Sequence, residues 1–513
     1  MSTFSELFEL HISRKGISIA GLGKYCQYDR ANLYKVIHGK RNAPDLSFVE
    51  MAASYMHLTP AERQEFIEAW HISEIGEGIY LRRKAIRRFI LHFPERISTL
   101  SRDASQTDPD PLLSGERQGY RVPASEPAFE TYVLVDSEAV NSAAYDMITD
   151  AFSRKVGTIR LFLQPDYVFL FNLLSSVTSE DSHISVEHII CLDIAEADET
   201  NGGACLQLIQ DLQRMVPLYQ NDLNYQSFYF FDRVQSHYKN LNGLCSMILT
   251  ESAALLCTSD YRQGLVLHSP EAVTLLHRMF QEYRQSCVCC FQPMSSLDII
   301  NSMQSPAITS DKGARLFQAE PDLTPYMDAP LLGRRLSGQL PNRTSYILSM
   351  DARFKKQYEA MCAPDFCRYH TLTGIRHFLE SGILLNLPRW IYTPFTLEER
   401  IRLVKSMLEH CRKRENSFYL LKEPYAGIGL QMHMYMQSSD GRLLFTGRNN
   451  DIICLVIREP SLTEAFIDYF DTLDEAEKWS WKESLDMVQA LLQEFQERPV
   501  PSTGLITLTD DSD

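Results

Sequence analysis

The chain lacks any run approaching the roughly 20 apolar residues that a membrane-spanning helix needs. Its first residues, MSTFSELFELHISRKG, are amphipathic and show no basic segment followed by an apolar one, so they do not read as a secretory signal. The short motifs of common enzymes are missing too. There is no G-x-x-x-x-G-K-[ST] phosphate loop, no G-x-G-x-x-G after a strand, no H-E-x-x-H and no G-x-S-x-G. The expectation is a cytoplasmic protein with no membrane partner and none of those chemistries.

Nor is there a disulfide framework. The twelve cysteines are scattered, and Cys26, Cys191, Cys205, Cys245, Cys257, Cys411 and Cys454 stand alone. Two clusters remain: Cys287, Cys289 and Cys290 as C-x-C-C, and Cys362, Cys367 and His370 as C-x4-C-x2-H. Thiolate and imidazole suit zinc, but neither spacing is the C-x2-C knuckle of structural zinc sites. Buried reduced thiols are the favoured reading, with neither metal nor cofactor.

Positive charge is also scarce: the net charge is −16, which for the whole chain argues against nucleic acid. Its distribution changes the inference. Residues 1–97 hold fourteen Lys and Arg against eleven Asp and Glu, a net of +3, so the remainder carries −19. A small basic head on a large acidic body suggests divided labour.

What is present supports several folded domains. The 513 residues exceed one compact unit, and 44% hydrophobic and 11% aromatic residues suffice for real cores. Residues 1–97 read as an all-α domain. Phe4, Leu7, Phe8 and Ile12 recur at helical spacing, SFVEMAASYMHL makes a short helix, and TPAERQEFIEAW opens with a capping box of Thr59 and Glu62. In YLRRKAIRRFILHF, Ala85, Ile86, Phe89, Ile90 and Phe93 share one helical face and Arg83, Lys84, Arg87 and Arg88 the other, with Arg82 on the apolar side. The basic face is a solvated one, a contact to DNA backbone, or a dock onto the acidic body.

Residues 98–130, rich in Ser, Pro, Asp and Gly, read as a flexible linker. Beyond them short β runs alternate with helices, which indicates a large α/β body. A first half spans 131–291, with strands in TYVLV, TIRLFL, HIICLDI, QSFYFF, CSMIL and GLVLH and helices in GACLQLIQDLQRMV and PEAVTLLHRMFQEY. Residues 292–345 lack periodicity and read as a long connection. A second half, 346–497, contains SYILSM, LEERIRLVKSMLEHCRK, SFYLLK, LQMHMYM, RLLFTG, DIICLVI and closing helices, and 498–513 read as a disordered tail. From Leu255 and from Leu443 the chain repeats Leu-Leu-x-Thr, a polar turn, a second strand and x-x-Pro opening a helix. Either this is a generic hairpin followed by a helix, or the body is two copies of one α/β unit.

The richest stretch is GISIAGLGKYCQYDRANLYKVIHGKRNAP, residues 16–44. Gly23 offers the small residue that two crossing helices need. Leu33, Val36 and Ile37 form a buried anchor, Asp29 an N-cap and Gly39 a helix stop. With that side buried, Ala31, Lys35 and His38 point away, flanked by Asn32 and Tyr34, with Arg30 at the free N-terminal turn. This pattern resembles the lambda-repressor-like (Xre-type) helix-turn-helix family, over about 70 residues. The resemblance implies a first helix, Ser18 to Cys26, across the DNA backbone and a second in the major groove. It further implies base reading from Arg30, Ala31, Asn32 and Lys35, where arginine and lysine suit guanine and asparagine suits adenine. Ala31 offers only a methyl. Lys40, Arg41 and the backbone near Ser18 suit phosphates. Gln27 departs from the family, which usually has Gly in a turn that tends to need φ > 0.

The duplicated α/β layout is loosely similar to phospholipase-D-like phosphodiesterases, which need H-x-K-x4-D in each half. The one H-x-K in the body, His237-Tyr238-Lys239, is followed by Leu244 where that pattern has Asp, and the second half offers none. The chemistry is therefore expected to be absent. His183, His188, His268, His277 and His433 read as satisfied or surface histidines. The expectation is a sequence-specific transcriptional regulator, not an enzyme. It binds double-stranded DNA, as a homodimer, through Ser18, Arg30, Ala31, Asn32, Tyr34, Lys35, His38, Lys40 and Arg41. Its body serves as sensor of a small-molecule or protein effector, as oligomerisation module, or both. The competing readings are a DNA-tethered phosphodiesterase or nuclease with an unrecognised site, and a protein-interaction scaffold.

Overall fold

The structure is a computed structural model that describes residues 3–106, 131–177, 183–193, 203–220, 223–232, 243–295, 298, 313–340, 342–428, 432–438, 440–447 and 452–497, with side chains described only as far as residue 93 in the first range. The expected tail, 498–513, lies outside the described residues.

The head is all-α. Its helices are α1 (Thr3–Lys15), α2 (Ile19–Tyr25), α3 (Arg30–Ile37), α4 (Leu46–Tyr55) and α5 (Pro60–Ile75). Ser18, Asp29, Asp45 and Thr59 cap α2 to α5, each side chain accepting a backbone N–H of the first turn that would otherwise be orphaned. The capping box of Thr59 and Glu62 forms as read. Phe4 and Phe8 close against Phe66, and Leu22, Leu33, Val36, Ile37, Phe48 and Val49 complete one small core.

The sixth helix, α6 (Glu77–Gln106), corrects one expectation and decides between the readings of its basic face. Its backbone stays helical through residues 98–106, where the Ser-, Pro- and Asp-rich composition read as linker; residues 107–130 lie outside the described residues. Moreover, α6 is bound to the body as well as to the head. Ile86, Phe89, Ile90 and Phe93 are buried in the body's main core. The ring of Phe89 meets Phe466 at 6.0 Å and that of Phe93 meets Phe445 at 5.8 Å. Of the basic face, Arg83 pairs with Asp468 and Arg87 with Glu477, while Lys84 reaches back to Glu68 of α5. The positive balance of residues 1–97 therefore belongs largely to the joint. Residues 3–75 carry eight Lys and Arg against nine Asp and Glu, so the head proper is not basic overall.

The described residues of the body build a 14-stranded sheet. In chain order the strands are β1 (Thr131–Leu134), β2 (Val156–Phe162), β3 (His183–Asp193), β4 (Asn224–Asp232), β5 (Ser246–Leu249), β6 (Ala254–Cys257), β7 (Gly264–Leu267), β8 (Val288–Met294), β9 (Arg315–Gln318), β10 (Cys367–His370), β11 (Phe418–Leu420), β12 (His433–Gln437), β13 (Asp440–Thr446) and β14 (Ile452–Ile457). Their order across the sheet is β1-β7-β6-β5-β2-β3-β4-β8-β14-β13-β12-β9-β10-β11. Adding seven to each of the first seven numbers reproduces the second seven. Both runs pair three strands in parallel, β2-β3-β4 and β9-β10-β11, and the rest antiparallel. The echo at Leu255 and Leu443 is thus part of a topology repeated over seven strands, beyond a generic hairpin and helix. Both hairpins are followed by helices with Pro at the first turn, α10 (Pro270–Gln285) and α15 (Pro460–Asp471).

The two units meet where β4 pairs antiparallel with β8, so the second runs opposite to the first. Its crossover helices accordingly cover the other face. In the first unit α7 (Ser137–Ser153), α8 (Val168–Ser176) and α9 (Gly203–Gln220) pack into the central core with α6 and α15. In the second, α11 (Ala329–Arg335), α12 (Arg343–Ala360), α13 (Leu372–Ser381), α14 (Leu397–Arg412) and the final helix α16 (Trp481–Glu497) pack around a separate core.

The expected long connection, 292–345, is corrected here. It contains the end of β8, all of β9, α11 and the start of α12. Strand β9 is short and polar at both ends, Arg315 and Gln318, which hides its period. SYILSM is helical, because its apolar run continues into Met350 and Phe354 on the buried face of α12.

Candidate nucleic-acid interface

The helix-turn-helix begins with packing. Gly23 is buried, and a Cβ there would meet Tyr28 O at 3.1 Å and Leu33 Cδ2 at 3.5 Å, so α2 and α3 cross where only glycine fits without displacement. Leu33, Val36 and Ile37 are buried, as their spacing requires. Gln27 takes φ +51, the left-handed geometry that makes glycine the usual occupant. Asp29 Oδ1 accepts from both Ala31 N and Asn32 N at 3.0 Å. At the far end Gly39 has φ +64, and its N–H reaches Val36 O at 3.1 Å while Lys40 N reaches Lys35 O at 2.8 Å, closing α3 with a Schellman motif.

The expected contact residues divide by environment. Arg30, Ala31, Tyr34, Lys35, Lys40 and Arg41 are exposed, and Asn32 and His38 are half-buried. Arg30, Lys35, Lys40 and Arg41 have no acidic partner among the described residues, whereas the head's other cations include Lys15, spent on Glu62 at 2.7 Å, and Arg63, on Glu50 at 3.4 Å. Asp29 and Asp45 are used as caps. Local placement, and not the head's net charge, leaves positive charge on this face. Tyr34 packs its ring on His38 with centroids 4.1 Å apart, and His38 Nδ1 is 3.8 Å from Glu9 Oε1, which holds His38 toward α1. Ser18 is exposed, and its hydroxyl is occupied in accepting Gly21 N–H at 3.3 Å. Lys24, exposed in the last turn of α2, is a further cation beside the turn; the motif's packing needs single out Gly23 and pass over it.

The cysteine clusters form no site. Among the described residues no three His, Cys, Asp or Glu side chains are placed to hold a metal ion, and all twelve thiols are free. Consecutive Cys289 and Cys290 lie on β8, where alternation turns them to opposite faces. Cys362 is exposed while Cys367 and His370 are buried in or beside β10. His188 is a core histidine, bonded at Nδ1 to the Tyr225 hydroxyl (2.6 Å) and at Nε2 to Leu163 O (3.0 Å). His237-Tyr238-Lys239 lies outside the described residues.

No known family's pattern matches the chain, and no curated protein is similar to it. Among solved structures, the archaeal chromatin protein TrmBL2, described as showing a novel mode of DNA binding, is similar at 11% identity. That likeness covers 56% of this chain and 94% of that one, with a TM-score of 0.21. Polyphosphate kinase from Porphyromonas gingivalis is similar at 10% identity, over 72% of this chain and 56% of that one, with a TM-score of 0.20. Values this low establish no shared fold.

Proposed function

We propose that the chain is a sequence-specific DNA-binding transcriptional regulator in which α3 reads the major groove and the α/β body senses an effector and supports self-association. One observation carries this reading: Arg30 and Lys35 on α3, and Lys40 and Arg41 just past its end, are exposed and unpaired among the described residues, while the opposite side of α3 is locked by Leu33, Val36 and Ile37. Arg30, Asn32 and Lys35 supply donors for base edges, and Lys40 and Arg41 supply charge for phosphates. A head of this size gives limited affinity alone, which favours a homodimer on two half-sites one helical turn apart. The clamp between α6 and α15 gives the body a mechanical hold on the head. The test is recovery of genomic fragments by the full chain, with Arg30→Ala plus Lys35→Ala expected to abolish enrichment of a common sequence.

The repeated seven-strand order keeps the phosphodiesterase-like alternative in view. Against it, the residue two past His433 on β12 of the second unit is Tyr435 and not lysine, and Leu244 stands before β5 in the first. The body is therefore proposed to bind rather than to turn over. A hydrolysis assay on the full chain with divalent metals is expected to show no turnover that a single substitution abolishes.

A further inference from the structure

On β9, β12 and β13 the residues two apart share a face. One face carries Phe317, Met434, Met436, Leu443 and Phe445 into the central apolar core. The other carries Gln318, His433, Tyr435 and Arg442 beneath α12. These line a cavity of about 160 Å³, to which α12 adds Arg353 and the loop after α13 adds Asn386. Polar groups buried there are costly unless something completes their hydrogen bonds.

The formal charges in the cavity cancel. Arg442 Nη2 meets Asp440 Oδ2 at 3.3 Å. Burial and the charge of Arg442 lower the pKa of Arg353, and the carboxylate of Asp322 opposes them. Two guanidiniums therefore stand against two carboxylates, and charge selects neither an anion nor a cation. Asp322 is also held in place by its neighbours: Oδ1 accepts from Thr324 N, Thr324 Oγ1 and Asn386 Nδ2, and Oδ2 accepts from Gln357 Nε2.

Hydrogen bonding, unlike charge, is incomplete among the described residues, and it is incomplete for donors and acceptors alike. Gln318, only 3% exposed, accepts at Oε1 from His433 Nδ1 at 3.1 Å and keeps its Nε2 donor without a partner. Arg442 keeps a second such donor, its buried Nε. Asn386 spends Nδ2 on Asp322 and keeps an acceptor, Oδ1, without a partner. With Nδ1 of His433 donating, the Nε2 of that ring is an acceptor as well. A ligand that only accepts would serve the first two residues and leave Asn386 unserved; one that only donates would do the reverse. A neutral carboxamide does both, since its carbonyl accepts and its N–H groups donate. The rest of the wall includes Phe354, Leu387 and Leu444, apolar surface for a ring.

We propose that this cavity binds a small neutral amide, a carboxamide or lactam on a single ring, whose carbonyl and N–H complete the donors Gln318 Nε2 and Arg442 Nε and the acceptor Asn386 Oδ1. The volume matches that of a cavity known to take benzene, roughly 150 Å³, so one ring bearing one amide fits. The strands that line it carry Phe317 against Phe470 of α15 (4.7 Å) and Phe445 against Phe93 of α6 (5.8 Å) on their other face. One sheet's thickness separates the ligand from the helix leading to the head. Only the role of this ligand as effector rests on the regulator reading; the site itself does not.

The test is calorimetric titration of the full chain, without DNA, with three probes of one shape: neutral benzamide, the benzoate anion and the benzamidinium cation. Saturable binding of benzamide, at least tenfold tighter than either ion, is expected. Gln318→Leu is expected to weaken it tenfold or more while the circular dichroism spectrum stays unchanged. Gln318→Glu keeps an oxygen for His433 and exchanges the donor for an acceptor, so benzamide is expected to lose its lead to benzamidinium. If Gln318→Leu does not fold, Gln318→Glu decides. Absence of saturable benzamide binding, an ion that binds as tightly, or a benzamide preference that survives the deciding variant overturns the proposal. Because no DNA is present, such a failure leaves the DNA-binding reading standing, and the reverse also holds.

Discussion

Arg83 and Asp468, 385 positions apart, are joined by two parallel hydrogen bonds, Nε to Oδ2 at 2.9 Å and Nη2 to Oδ1 at 2.8 Å. This fork clamps α6, which leaves the head, to α15, which closes the second unit of the body. The pair is partly exposed, so its net worth is small, about 1 kcal/mol or less. Its role is orientation. Charge reversal at either end, Arg83→Asp or Asp468→Arg, is expected to speed hydrogen exchange in α6 without changing it in β3 or β4. The double reversal is expected to restore most of the loss, as a mutant cycle would read it.

Gln27 pays for a left-handed backbone that a glycine adopts freely. Gln27→Gly is expected to stabilise the head by up to about 1 kcal/mol, the relief of strain outweighing glycine's extra unfolded-state entropy. A urea denaturation series followed by helical circular dichroism checks it. Gly23→Ala is expected to act in the opposite direction, through the 3.1 Å approach to Tyr28 O.

Asp29 bonds two amides of α3. Asp29→Ala is expected to cost about 1 kcal/mol of stability. DNA affinity is expected to fall for all sequences alike, since no base donor is removed. Binding curves on two unrelated duplexes separate this uniform loss from the selective loss expected of Arg30→Ala.

Stability should depend on pH with two opposing signs inside the first unit. Asp211 is fully buried with Oδ2 unpartnered, and burial raises its pKa to about 8. Because the folded value exceeds the unfolded one, its contribution is complete below about pH 4 and is lost as pH rises toward 8. Asp211→Asn is therefore expected to match the parent near pH 4 and to exceed it at pH 8, by roughly 2 to 4 kcal/mol. For His188 burial lowers the pKa to about 4, so its contribution is complete above about pH 6.5 and is lost as pH falls through 4. Denaturant midpoints at pH 4, 6 and 8 read both.

The helix-turn-helix was legible because its determinants are local. Asp29, Gly23, Leu33 and Gly39 act within a few residues of one another, and each leaves a mark at fixed spacing. The same holds for strands such as HIICLDI, whose apolar run is long enough to show. What escaped reading depends on distant partners. The basic side of α6 left a solvated face, a DNA contact and a dock onto the body open, and only Asp468 and Glu477, far along the chain, decide for the dock. Strands β9 and β10 are four residues long and hold Arg315, Gln318, Arg368 and His370, so neither shows an apolar period. The cavity beneath α12 is assembled from alternate residues of several strands and one helix, and leaves no motif at all. The equality of the two units was visible only in its hairpins, because strand order is not written in residue spacing.

The most direct test of the regulator account is equilibrium binding of the full chain, over a stated series of salt concentrations, to its selected sequence and to a scrambled duplex of equal length. The account predicts that the parent prefers the selected sequence by roughly a thousandfold or more, and that Arg30→Ala plus Lys35→Ala removes this preference. It also predicts that Lys40→Ala and Arg41→Ala keep the preference and each lower the salt slope by about one. A parent chain that binds both duplexes equally, or a preference that survives loss of Arg30 and Lys35, would contradict it.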